Sequence, residues 1–438
     1  MSWIMSQWQN VTRGLWFFPG LVTLAGAALA LVLVEIDRVA GTEGIPFAFD
    51  GDASAARTIL GTVAGSLITV AGLAFSITVV TLQLVSSQFT PRALRSFLGD
   101  RTSQLVAGAF VGIFVYCLLV LRVVRGEDGE AEEFVPALAV GTSIALALLG
   151  LALLLVFIHR IAQLVKVENI AAHIAAETAA AIDRLHGEDD GDRADANGIP
   201  SSWEAAGEPA LVRPRRPGYV RAVSLDSIKD APLPEGARVH VCVRPGDAVT
   251  RATVLLRVWP GVAVDETGRA ELAQVVNVQS ERDVSQDSAF GLRQLADIAV
   301  RALSPGVNDP TSAMTCIAYL RDLVEALADR DLAARPRHVD ERGVLVHAEA
   351  RGFRELLRES FEEIGRFAHA DARVAVAVVD ALAGVGVSAV AAGAPGRAAD
   401  ALELAEEIAR PALEDARTES DRLLLEASLS RVRVAAAG

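Results

Sequence analysis

Charge is missing from long stretches of this sequence. None occurs between Thr58 and Gln88, nor in the apolar runs at about 19–34, 103–121 and 134–158. At ~1.5 Å per residue, a helix over 58–88 outreaches the ~30 Å hydrocarbon core of a bilayer. Ion-coupled pumps and proton relays place ionisable groups near the midplane, and no Asp, Glu, Lys, Arg or His lies inside these runs, which argues against both. Cysteine is scarce too. Cys117, Cys242 and Cys316 are odd in number and far apart, so no disulfide framework is expected and a reducing compartment fits. There is no P-loop, HExxH, GxSxG or CxxC pair, and hence no expected enzymatic activity or cofactor. A formal net charge of −14 sets nucleic acid aside as a partner, because phosphate binding needs clustered cations. The N-terminus lacks the basic start and small-residue cleavage site of a secretory signal, so the first apolar run is expected to be retained.

What is present divides in two. Hydrophobic residues are 52% of the chain; the long apolar runs fill its first third and the charges gather later, as in a membrane domain followed by a water-soluble one. Residues 1–160 read as a four-helix transmembrane domain, with Trp16, Phe17 and Phe18 ahead of Pro19 as an interfacial aromatic belt. Arg92, Arg95 and Arg101 lie between the second and third spans, and His159, Arg160 and Lys166 follow the fourth. That cation bias predicts both termini in the cytoplasm. An alanine-rich helical stalk over 161–186 and an acidic linker over 187–217 lead to a cytoplasmic α+β domain, 218–438. There GYVRAV, ARVHVCV and TVLLRVW read as strands, with a Pro245-Gly246-Asp247 turn between the last two: a small β-barrel or sandwich-like module, followed by helices.

The second span has a polar seam. Thr62, Thr69, Ser76 and Gln83 recur every seven residues, and Gly65 and Gly72 share the interval. Such a repeat keeps one narrow stripe facing one partner or one cavity. One reading is helix packing, since Gly61 and Gly65 form a GxxxG step. The other is a lined pathway. In that reading Thr62, Gly65, Thr69, Gly72, Ser76, Val79, Val80, Gln83 and Ser87 face the path, and Gln88, Phe89, Pro91, Arg92 and Arg95 form its cytoplasmic mouth. The amide of Gln83 would need a partner in lipid, which favours the wet reading.

In the soluble part, the turn SPGVNDP joins two helical segments. Arg301, Ser304, Gly306, Asn308, Asp309 and Thr311 make it a candidate ligand or anion turn, because a helix N-terminus presents free N–H groups. Capping by Asp309, with Pro310 at the first helical position, explains the same residues without a ligand. His347 and Glu349 share a strand face, as would His369 and Asp371 if extended, but two residues do not make a metal site and none is expected.

The segments LQLVSSQFTPRALRSFLGDRTSQ and FGLRQLADIAVRALSPGVNDPTSA, with GYVRAVSLD and VRPGDAV, resemble a bacterial family of predicted membrane proteins, domain of unknown function 2254. The resemblance implies a bacterial inner-membrane location and brings no established activity. The expected function is an oligomeric inner-membrane ion channel or pore, with the second span lining the path and the cytoplasmic domain assembling or gating it. Its partners would be the lipid bilayer, further copies of the chain, and ions or small solutes. The alternative is a non-conducting membrane-anchored sensory or scaffold protein whose cytoplasmic domain binds a ligand or protein.

Overall fold

The computed structural model describes residues 17–40, 49–88, 101–126, 134–164, 166–186, 203, 207–224, 226–231, 233–261, 264–332, 337–338 and 342–437. They fall into two compact units, Met1–Ile170 and Ala171–Gly438.

The first unit holds α1 (Phe17–Ala40), α2 (Ala53–Gln88), α3 (Arg101–Leu121) and α4 (Ala137–Leu164). Each contains a stretch long and apolar enough to cross a membrane. The other three pack on α3, whose Phe110, Tyr116, Cys117 and Val120 are fully buried. Glycine sets the closest approach. A Cβ on Gly108 would lie 2.6 Å from the Pro19 Cα, and one on Gly26 would lie 2.6 Å from the Gly112 carbonyl oxygen. Small residues let backbones meet where larger ones hold them apart. Asp37 lies inside α1, nearly buried, and accepts from the Leu138 and Ala139 amides at 3.1 and 3.0 Å. Its carboxylate thus sits at the N-terminus of α4, where helix donors otherwise lack partners.

α4 ends at Leu164 and α5 (Val167–Leu185) is a separate helix, with Lys166 in neither. The Asn169 side chain donates to the Gln163 carbonyl at 2.8 Å, satisfying one of the acceptors left at a helix end. The alanine-rich stalk is therefore divided between the end of α4 and the separate helix α5.

In the second unit, the later turns of α5 pack Thr178 against Gly291 and Ala181 against Val284 and Phe290. The strands are β1 (Ala210–Val212), β2 (Gly218–Val223), β3 (Arg238–Val241), β4 (Ala248–Val249), β5 (Leu256–Trp259), β6 (Val276–Gln279), β7 (Arg337–His338) and β8 (Leu345–Ala348), with short helices α6 (Asp226–Lys229) and α7 (Glu266–Leu272) among them. They form one sheet in the order β1-β5-β3-β8-β7 and another in the order β4-β2-β6. β3 and β8 run parallel, and every other pair is antiparallel. Val239, Val241, Val258 and Val346 of the larger sheet share one apolar cluster with Val220, Val249, Val276 and Val278 of the smaller. Arg213 and Arg216 donate to the carbonyls of Ala252 and Val278, which ties the segment between β1 and β2 to the rest of the module.

The helices are α8 (Ser288–Ala302), α9 (Pro310–Ala328), α10 (Phe353–Ala368), α11 (Ala372–Ala391), α12 (Pro395–Glu414) and α13 (Glu419–Ala437). α11 packs against α9, α10, α12 and α13. By length and composition it is a fifth candidate span, yet 56% of its apolar window is buried inside the protein, against 17% for α2.

Candidate functional site

On α2, burial separates two faces. Ala56, Leu60, Ala64, Leu67 and Ala74 are buried against the unit. Thr62, Gly65, Thr69, Gly72, Ser76 and Gln83 all lie on the exposed side, with Val79 and Val80 at 36% and 59% exposure. A Cβ built on Gly61, Gly65 or Gly72 meets nothing within 4 Å. The hydroxyls of Thr62 and Thr69 donate back to the carbonyls of Thr58 and Gly65 at 2.7 and 2.8 Å, so the helix itself satisfies them. Gln83 has no side-chain partner among the described residues. The exposed face of α4 differs: from Ile144 to Ile158 it presents only Ile, Leu, Val and Ala. That surface suits lipid tails, whereas the exposed side of α2 mixes its small and polar seam with Ile68, Leu73, Phe75, Val79 and Val80. The side chains of Ser87 and Gln88, and residues Phe89, Pro91, Arg92 and Arg95, lie outside the described residues.

In the second unit, the turn between α8 and α9 closes on itself. The Ser304 carbonyl accepts from the amides of Val307 and Asn308, and the Ala302 carbonyl from that of Asp309. Asn308 takes a φ of 50°, the left-handed conformation that Asn tolerates better than most residues. Asp309 caps α9 through the Ser312 amide at 3.1 Å and its hydroxyl. That hydroxyl bond holds the Asp309 carboxyl below its ordinary pKa against the opposing effect of burial. Its charge occupies the position an anion would take. Gly306 and Thr311 are exposed, and Ser304 donates to the Arg301 carbonyl at 2.6 Å.

Ion pairs gather around the start of α8. Asp287 caps α8 through the Phe290 amide at 3.2 Å and pairs with Arg282 at 2.8 Å. Arg351 reaches Asp247 and Glu359 at 3.6 and 3.2 Å. Burial pushes the carboxyls of Asp287 and Glu359 upward in pKa, with Arg282 and Arg351 respectively opposing it.

The sequence missed one cluster. β3 and β8 place His240 directly beside His347. Strand alternation puts Cys242 and Glu349, each two residues on, on that same face, opposite the shared apolar cluster. The imidazole centroids lie 5.4 Å apart, at 45° between planes. His240 Nε2 is 3.1 Å from Glu349 Oε1, and the Cys242 sulfur is 3.5 Å from His240 Nδ1. His240 and His347 are 6% and 3% exposed, while the Glu349 side chain is 44% exposed. His347 Nδ1 is buried without a hydrogen-bond partner among the described residues, which costs about 1–3 kcal/mol if nothing else meets it. Burial lowers the pKa of His240, with Glu349 opposing and Arg257 adding; burial and then His240 lower that of His347. Both rings are therefore held in the neutral form, with lone pairs available. The H-x-C of ARVHVCV and the H-x-E of GVLVHAEAR were the visible signal, but their pairing was not. His369 and Asp371 are not on a strand: His369 Nδ1 meets Asp415 at 2.8 Å, and Asp371 caps α11.

The family described as "Predicted membrane protein (DUF2254)" matches residues 12–384. Uncharacterized proteins of Mycobacterium bovis and Mycobacterium tuberculosis are 33% identical over 323 residues, covering 72% of this chain and 61% of theirs. The chain thus spans less than two thirds of the length of these relatives. No solved structure matches.

Proposed function

The chain belongs to the DUF2254 family of predicted membrane proteins, and from that premise we propose that it is an oligomeric channel or pore of the bacterial inner membrane. In this reading α1 to α4 are the four spans, both termini are cytoplasmic, α2 lines the path, and the second unit assembles or gates it. The supporting observation is the polar seam of α2, which lies on the exposed side of the helix among the described residues. Packing among the described residues of the unit does not use it, which leaves it free for another copy, water or lipid. The threonines would tolerate lipid, because their hydroxyls are already bonded to the helix backbone. Gln83 would not, since an unpaired amide in hydrocarbon is costly. Around a central axis the seam would line a hydrated path, with Val79, Val80 or Phe75 as the apolar constriction and Arg92 and Arg95 favouring anions at the mouth.

The test is ion flux through liposomes holding the full chain. Wild-type protein is expected to conduct, and Gln83→Leu to change that conductance. Water-soluble thiol reagents should label cysteines placed at Thr69, Ser76 and Gln83 more than one at Ala74, which is buried. A chain that is monomeric in mild detergent and silent in bilayers would sink the reading. The second reading, a non-conducting anchor carrying a sensory or scaffold domain, is favoured by one observation: the second unit has its own helical and sheet cores, independent of the spans.

A further inference from the structure

We propose that His240, His347 and Glu349 bind one divalent first-row transition metal, zinc foremost, on the outer face of the five-stranded sheet. One donor atom from each residue lies within 4.8 Å of the other two. An ion held about 2.0–2.2 Å from each nitrogen and oxygen requires only side-chain adjustment to draw them in. The scaffold is stiff where that matters: two adjacent parallel strands fix both histidines, and Glu349 follows His347 at the strand end, its amide bonded to the Val241 carbonyl at 3.2 Å.

Hydrogen bonding alone accounts for half of the cluster. The Cys242 thiol can donate to His240 Nδ1, and His240 Nε2–H to Glu349. His347 Nδ1 is left buried with no hydrogen-bond partner among the described residues. Its two nitrogens exchange by a ring flip, so either can be offered to an ion. With an ion bound, His240 coordinates through Nε2 and keeps its proton on Nδ1. Cys242 then accepts from that N–H, which is the orienting role of an outer partner rather than that of a ligand. The donor set is two imidazoles and one carboxylate. It suits zinc or iron and is too nitrogen-rich for magnesium or calcium. Arg257, opposite His240 on β5, is a like charge set against the cation, and Glu349 offsets it. The exposed Glu349 gives the ion an entry and leaves a fourth position for water. The site does not depend on whether α2 conducts.

The experiment uses the untagged full chain in detergent, stripped with chelator and titrated with Zn(II) and, as a spectroscopic probe, Co(II). Wild-type protein is expected to bind one equivalent, to melt at a higher temperature with Zn(II), and to give Co(II) absorption bands of low coordination number. His347→Ala should abolish binding. Glu349→Gln changes a half-exposed residue without changing its shape, so it should stay folded yet bind at least ~10-fold more weakly, the lower end of the loss seen for lesser, second-layer changes. His369→Ala, at the other His–acid pair, should bind like wild type. The proposal is overturned if the wild-type chain takes up no metal, or if Glu349→Gln and His347→Ala bind as tightly as it does.

Discussion

Gly108 and Gly112 of α3 lie against the backbone of α1, whereas a Cβ on Gly61 or Gly65 of α2, at the same spacing, would meet nothing within 4 Å among the described residues. The motif is the same, and both helices are equally free of charge along their apolar length. One step is used up inside the unit; the other meets nothing among the described residues. The difference teaches that a small-residue step states how closely a backbone can approach, not what approaches it. It also locates the surface on which this protein must meet its surroundings, because the exposed face of α4 is uniformly apolar and asks only for lipid.

Substitution at the two steps gives the largest contrast. Gly108→Leu drives a side chain into the backbone at Pro19 and should cost about 3 kcal/mol, read as a lower melting temperature of the full chain in detergent. Gly65→Leu meets open space and should leave that melting within ~0.5 kcal/mol, while changing the mass of the assembly. Equal losses at both positions would break the comparison. Next comes the inner side of the same unit. Asp37→Ala removes the acceptor of two α4 amides and should cost about 2 kcal/mol, again by melting. No change there would mean that water replaces the carboxylate.

The smallest effect tests the other apolar helix, α11. Asp371 caps it by accepting from the Arg373 amide at 2.9 Å, so Asp371→Ala should cost about 1 kcal/mol at neutral pH. The Arg373 side chain's hydrogen bond holds the Asp371 carboxyl below its ordinary pKa, against the opposing effect of burial. Its stabilisation is therefore complete above the ordinary carboxylate pKa and is lost as pH falls through the lowered folded value. Acid titration of melting should be flatter in Asp371→Asn than in wild type; parallel curves would remove Asp371 from the account.

Much of the fold was legible because the signals are local. Unbroken apolar runs mark α1 to α4, and GYVRAV and LVHA read as strands because β-branched residues and flanking turn residues set them apart. The cap at Asp309 followed from Asp-Pro chemistry at one position. The polar seam was visible as a seven-residue repeat, but the direction it faces was not, since a helix has the same period whichever side it buries. Asp37 falls just beyond the first charge-free run, yet it reaches the start of α4 from inside α1. α11, read from sequence as a helix of the soluble part, is a candidate span by composition, because its valines and alanines fit lipid and a protein core equally well, and its packing against four neighbouring helices separates the two.

Composition and periodicity alone determined that the chain has a membrane part and a helical-and-sheet part, because hydropathy and side-chain alternation act over neighbouring residues. Tertiary structure alone decided which glycines are occupied, where the polar face of α2 points, and that His240 meets His347 and Glu349. Those contacts join residues far apart in sequence, and their geometry is set by how whole elements pack rather than by any local preference.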